Sequence, residues 1–195
     1  MRVHVTLIPS NEYRRERWKN GLGWTREILR RPADGEDWDW RLSIAEVDAD
    51  GPFSAFPGVD RELVLLSGEG MRLRFEDGEL VELSPPHGRI RFAGERALNA
   101  ELIAGPTRDF NLMWKRSRVE ASLLHRPLVG PMLFFAEPGV HWVVHVLSGR
   151  AWFKDRLPEQ LLETGDSAVI DASGSGRMLI EGGGEVLLIR IKTQS

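Results

Sequence analysis

The segment Phe53-Ser-Ala-Phe-Pro-Gly-Val-Asp-Arg-Glu-Leu-Val-Leu-Leu-Ser-Gly68 decides the fold, because much of it returns 81 positions later, from Phe134 to Gly149. Phe53, Ala55, Pro57, Gly58, Val59, Leu66, Ser67 and Gly68 recur without a gap as Phe134, Ala136, Pro138, Gly139, Val140, Leu147, Ser148 and Gly149. Eight identities in sixteen positions lie far above chance. A repeat of this length is too long for a solenoid unit and long enough for a small domain. The chain therefore reads as two similar folds in tandem. The divide falls in the stretch from Arg116 to Pro127, giving halves 1–116 and 117–195.

Working outward from the repeat, period-two alternation dominates. Trp40-Arg-Leu-Ser-Ile44, Met71-Arg-Leu-Arg-Phe75 and Arg89-Ile-Arg-Phe92 each put apolar side chains on one face and polar ones on the other, as half-buried strands do. The continuous apolar runs Leu63 to Leu66, Trp142 to Leu147 and Val186 to Ile189 read as strands covered on both faces. Turn chemistry separates them at Pro57-Gly58, Gly68, Pro85-Pro86, Gly105-Pro106, Pro138-Gly139 and Gly182-Gly-Gly184. No stretch holds a helical period for three turns. The predicted fold class is all-β, with each half a small antiparallel barrel that closes its own edges.

Composition narrows the partners. The chain has 195 residues, 42% of them hydrophobic, and no cysteine, which excludes disulfides, thiolate nucleophiles and cysteine metal sites. A formal charge of −3 provides no basic field for nucleic acid or an anionic membrane surface. The stretch Met1 to Pro9 is too short and polar for a signal-peptide core, and no run approaches a membrane span. A cytoplasmic protein is expected, with no nucleic-acid or membrane partner.

The sequence Pro-Gly, an apolar run, then Leu-Ser-Gly resembles the hairpin of cupin barrels, and two in tandem look like a bicupin. Trp18-Lys-Asn-Gly-Leu-Gly-Trp-Thr-Arg-Glu27, Trp40-Arg-Leu-Ser-Ile-Ala45 and Asp50-Gly-Pro-Phe-Ser-Ala-Phe-Pro-Gly-Val-Asp-Arg61 are more specific. Together with Leu66-Ser-Gly-Glu-Gly-Met71, Phe92-Ala-Gly94 and Gly105-Pro-Thr-Arg-Asp-Phe-Asn-Leu-Met113, they resemble the HutD/Ves family, densely from Trp18 to Met113 and weakly beyond. The resemblance implies a bicupin linked to histidine utilisation, with a non-catalytic role in sensing or buffering an intermediate such as formylglutamate. One departure is Leu22, which interrupts a run that in the family is commonly three glycines.

Many cupins bind a metal through a His-x-His pair, a glutamate and a later histidine. The first copy has no histidine between His4 and His87, and the Pro57-Gly58 turn is followed by Asp60 and Arg61. His141 and His145 of the second copy stand four residues apart, about 13 Å along a strand, too far to share an ion unless the strand bends. His87, next to Pro85-Pro86, reads as a loop residue. No metal, cofactor or catalytic residue is assigned.

The polar residues in the family-like segments suit a small carboxylate or formyl ligand: Lys19, Asn20, Thr25, Glu27, Arg41, Ser43, Ser54, Arg61 and Asn111. Lysine and arginine supply positive charge, arginine can grip a carboxylate with two hydrogen bonds, and hydroxyl and amide groups fix a polar head. Arg41 and Ser43 share one strand face, so both can point into one barrel mouth. The plainer alternatives pair Arg61 with Asp60 or Glu62, pair Glu27 with Arg26 or Arg30, and use Trp18, Trp24, Trp38 and Trp40 to seal a core. Two rival functions stay open at this point. One is a metal-dependent dioxygenase or isomerase using His141 and His145 with Glu137 or another carboxylate. The other is an interaction module in which the apolar Leu128 to Phe135 segment forms a homodimer face.

Overall fold

The computed structural model describes residues 3–154 and 161–194. In chain order the strands are β1 (Val3–Ile8), β2 (Arg14–Arg17), β3 (Gly23–Arg31), β4 (Trp40–Val47), β5 (Gly51–Pro52), β6 (Val59–Ser67), β7 (Met71–Phe75), β8 (Leu80–Leu83), β9 (Arg89–Ala93), β10 (Leu98–Leu102), β11 (Thr107–Lys115), β12 (Val119–Val129), β13 (Met132–Ala136), β14 (Val140–Phe153), β15 (Leu161–Glu163), β16 (Ser167–Ala172) and β17 (Gly176–Thr193). Among the described residues one 3-10 turn, Ser10–Glu12, is the only helical piece, so the chain is all-β and its pairings are antiparallel. Among the described residues no helix is long and apolar enough to cross a membrane.

The chain divides into two compact units. Tyr13–Arg118 forms the first, with a six-stranded sheet in the order β2-β3-β4-β11-β6-β9 and a four-stranded sheet in the order β5-β10-β7-β8. Leu63, Leu65 and Phe92 of the first sheet meet Leu73, Phe75 and Leu98 of the second in one core. Each such buried side chain contributes roughly 1.5–3 kcal/mol. The second unit is a seven-stranded sheet in the order β1-β16-β14-β17-β12, with β13 on β17 and β15 on β14.

The division falls at residue 118, close to the boundary read from the sequence, but the first twelve residues change sides. β1 does not belong to the first half. It pairs with β16 from Val3↔Ala172 to Ile8↔Ser167, because Val5 and its alternating neighbours Val3 and Leu7 complete the second unit's core.

The repeat is reproduced in three dimensions. Gly58 and Gly139 both turn the chain at φ 75°. Val59 N–H bonds to the Phe56 carbonyl and Val140 N–H to the Glu137 carbonyl, at 3.2 and 3.1 Å. Both strands then carry a bulge at the same place: Leu66 is skipped where β6 meets β11, and Leu147 where β14 meets β17. The runs read as doubly covered are so along most of their length: Leu63 to Leu65, Val143 to Val146 and Val186 to Ile189 are buried, while Leu66, Trp142 and Leu147 at the run ends are half-buried. Trp40–Val47 departs from simple alternation, since Ser43 is as buried as Leu42 and Ile44. Its polar face looks into a cavity.

Candidate functional site

Register places the polar residues of the first unit on one face. Residues opposite each other on antiparallel strands point the same way. One row across β4, β11, β6 and β9 therefore reads Arg41, Met113, Arg61, Phe92. The next, starting on β3, reads Glu27, Ser43, Asn111, Leu63, and the third reads Thr25, Ala45, Asp109, Leu65. Arg41 and Arg61 thus flank Met113, with Asn111 below it. Above this floor opens a cavity of about 610 Å³. Lys19, Asn20, Thr25, Arg41, Ser43, Ser54, Arg61 and Asn111 all line it, as eight of the nine residues named from the sequence.

Glu27 is the ninth, and it lies outside this cavity. Its carboxylate is 2.7 Å from Arg41 Nε and 3.5 Å from Arg30 Nε, and it lines a smaller neighbouring recess of about 280 Å³. The Arg41 contact is one of charge, as Arg41 Nε is not aligned for a hydrogen bond. Glu27 thus holds Arg41 in place beside the cavity.

Two loops supply the walls. In the turn between β2 and β3, Trp18 N–H bonds to the Gly23 carbonyl at 3.0 Å and Gly21 N–H to the Trp18 carbonyl at 2.9 Å. Asn20 Oδ1 accepts the Leu22 N–H at 3.0 Å, which commits that oxygen to the turn. Trp18 Nε1 donates to Thr25 Oγ1 at 2.9 Å, and its ring meets Phe53 edge-on at 5.8 Å, so this tryptophan is wall rather than core. Leu22 packs on Gly51, where an added Cβ would come within 2.3 Å of Leu22 Cδ1. The second loop is tied to Gly94: Phe56 N–H bonds to the Gly94 carbonyl and Gly94 N–H to the Val59 carbonyl, at 2.8 and 2.6 Å. A Cβ on Gly94 would lie 2.7 and 2.9 Å from the Val59 and Phe56 carbonyl oxygens, so the close approach requires glycine.

These walls place three aromatic rings around one cation. The Arg61 guanidinium lies 5.6, 5.4 and 5.3 Å from the ring centres of Phe53, Phe56 and Phe92. Arg61 is 4% exposed, so it is no surface partner of Asp60 or Glu62; Asp60 is instead held by Arg91 and Arg116. Of its five N–H donors, Nη1 reaches the Ser54 carbonyl at 3.3 Å and Nε has no partner. Burial lowers its pKa to about 10, with Asp109 opposing the shift and Arg41 adding to it. It stays charged at neutral pH.

Asp109 went unnamed in the sequence reading. It has no exposed surface and neither carboxylate oxygen has a hydrogen-bond partner. Burial raises its pKa to about 7, against the pull of Arg61. Its position two residues before Asn111 on one strand was the available signal, since both then share the polar face.

The donor set does not suit a metal. Lys19, Arg17, Arg41 and Arg61 bring positive charge to the cavity against a single lining carboxylate, Glu16, and no histidine lines it. In the second unit β14 stays paired with β17 from Val140 to Val146, so His141 and His145 remain about 13 Å apart. His141 Nδ1 lies 2.5 Å from Asp171 Oδ1, and the buried His145 lies 2.9 Å from Ser167 Oγ. His87 sits in the loop between β8 and β9, with Nδ1 3.2 Å from the Leu65 carbonyl.

Comparison with known proteins gives this geometry a family. The chain is 41% identical over 120 residues to an uncharacterised 21.2 kDa protein of the hutC 3′ region of Pseudomonas putida, spanning 61% of this chain and 63% of that relative. It is 38% identical over 146 residues to protein Ves of Cronobacter sakazakii, covering 73% of this chain and 77% of the relative. The solved structure of HutD from Pseudomonas fluorescens SBW25 superposes with a TM-score of 0.85 at 29% identity, over 98% of this chain and 100% of that one. A cupin 2 barrel protein from Leptotrichia buccalis shares the fold at a TM-score of 0.58 and 12% identity, over 87% of this chain and 88% of the other. The HutD family model matches residues 10–188, and the chain belongs to the HutD family.

Proposed function

We propose that the first unit's cavity binds a small carboxylate or formyl compound, and that the protein acts by holding this ligand rather than transforming it. The observation that carries the reading is Arg61, a buried cation with one long hydrogen bond and unused donors at a cavity. Taking a guanidinium out of water costs several kcal/mol unless an anion or well-made hydrogen bonds compensate. A carboxylate gripped by Arg61, with Ser43, Asn111 and Arg41 within the same cavity, supplies both. Of the carboxylates on the sheet face, Glu27 is engaged by Arg41, and Glu16, which lines the cavity from the edge strand β2, is exposed and 3.9 Å from Arg14, which leaves donors over the floor.

Family membership supports a biological setting for the ligand. A relative from the hutC region and a HutD structure described by its formate condition fit a ligand of the histidine-breakdown type such as formylglutamate. In this reading the protein senses or buffers that compound in the cytoplasm. Thermal unfolding with millimolar formate, formylglutamate, glutamate, urocanate and histidine tests this. A ligand at a hundred times its Kd raises stability by about 2.7 kcal/mol. Saturable stabilisation by one of these acids, lost in Arg61→Ala while the variant still unfolds cooperatively, is the expected result. Unchanged stabilisation in Arg61→Ala removes Arg61 from the site.

A further inference from the structure

We infer that Asp109 makes anion binding at Arg61 proton-linked: a carboxylate that docks on Arg61 is accompanied by a proton taken up at Asp109. The inference rests on the anion-binding reading and adds a second charge to it. Asp109 does not line the cavity, so a ligand does not touch it, and it acts through Arg61 as a positioning residue.

The geometry leaves little else for Asp109 to do. It lies on the same sheet face as Arg61, two rows along, in a fully enclosed position. Its register neighbours are Ala45 on β4 and Leu65 on β6, and the four-stranded sheet facing this core presents Met71, Leu73 and Ala100. None of these offers a hydrogen bond from its side chain. The charged side chains on this face are Arg61 from β6, Arg41 from β4, Glu27 and Arg30 from β3, and Arg14 and Glu16 from the edge strand β2. Glu27 is already on Arg41 and Arg30, and Glu16 lies in the row of Asp109 but two strands beyond Ala45, exposed and 3.9 Å from Arg14. His87 approaches the same strand, with Nδ1 3.2 Å from the Leu65 carbonyl. An ionised Asp109 is therefore stabilised chiefly by the charge of Arg61, and burial opposes it.

An arriving carboxylate takes up that charge. Once the anion sits on Arg61, the field favouring ionised Asp109 is cancelled and a second negative charge faces it at low dielectric. Asp109 then protonates at a higher pH than in the free protein. Linkage fixes the sign: affinity is greatest where Asp109 is already protonated and falls as pH rises through neutrality, by no more than about tenfold per pH unit for one proton.

Sodium formate titrated calorimetrically into the full chain at constant ionic strength, from pH 6 to 8.5, reads this directly. Formate stays ionised throughout, and Arg61 stays protonated with its pKa near 10. The expected result is an affinity about threefold or more weaker at pH 8.5 than at pH 6. At pH 8, heats that differ between HEPES and Tris should show net proton uptake on binding. In Asp109→Asn the affinity should be flat with pH at the level wild type reaches at pH 6, and the proton uptake should vanish. A residue with a purely packing role would shift affinity equally at every pH. If that variant does not fold, the two-buffer measurement on wild type still decides. pH-independent binding without proton uptake overturns the linkage and leaves the anion site standing. A slope that survives in Asp109→Asn assigns the proton elsewhere, His87 first, and also overturns it. No saturable binding of formate at any pH overturns both readings.

Discussion

The two copies of the repeat share a scaffold and differ in what they enclose. Arg61 in the first becomes Trp142 in the second, and the same backbone position serves both: Arg61 Nη1 donates to the Ser54 carbonyl at 3.3 Å, Trp142 Nε1 to the Phe135 carbonyl at 3.1 Å. Phe53 lies against Arg61, and its counterpart Phe134 meets Trp142 edge-on at 5.4 Å. Across the neighbouring strand, Asp109 and Asn111 correspond to Val186 and Leu188, which join Val144 and Val146 in an apolar core. One copy filled its interior and the other kept a cavity with buried charge. The turn and the bulge belong to the fold, therefore, and the three polar replacements belong to the site.

The comparison can be broken by making the first copy resemble the second. The largest effect is expected at Asp109. Its pKa in the folded protein, about 7, lies above the unfolded value, so stability is full below about pH 4 and is lost as pH rises to 7. That loss amounts to about 4 kcal/mol. Asp109→Asn should abolish it, so that urea unfolding at pH 8 shows a more stable variant and at pH 4 a nearly equal one. In the second copy Trp142→Ala should cost about 3 kcal/mol while formate binding stays intact, because its ring packs on Phe134 rather than on a ligand. Arg61→Met should lose carboxylate binding and gain about 1–2 kcal/mol of stability, the mark of a buried charge kept for function. Smallest is the Leu22 contact. Gly51→Ala should cost about 1 kcal/mol alone and much less when combined with Leu22→Ala, a coupling that a double-mutant cycle measures.

Much of the fold was legible because strands write their burial locally. Met71-Arg-Leu-Arg-Phe75 alternates in sequence and in exposure, and the repeat gave the two turns at Gly58 and Gly139. The polar floor was partly legible for the same reason, since Arg41 and Ser43 share parity on one strand. The aromatic surround of Arg61 was not, because Phe53 and Phe56 reach it from a loop whose path depends on the tie to Gly94. Asp109 was overlooked because a single acid in a strand carries no sign of burial, and only its parity with Asn111 gives it away. Glu27 was misplaced by the opposite effect: its type suited the cavity, but a cross-strand arginine claims it. Nothing local in Val3–Ile8 announces a partner at Ser167–Ala172.

That distant pairing sets an order of events during synthesis. The cavity-bearing unit, Tyr13–Arg118, is continuous in sequence and holds all its own strands, so it can fold as soon as it leaves the ribosome. The unit that contains β1 has to wait: this strand is made before the cavity-bearing unit and stays unpaired until β16 emerges, more than 150 residues later. Ser10 N–H, which bonds to Asp166 Oδ1 at 2.8 Å, waits with it. Closing so long a loop adds little to the free-energy cost but makes the last step slow. The ligand-binding half is thus expected to be competent first, with the N-terminal strand the final piece to dock.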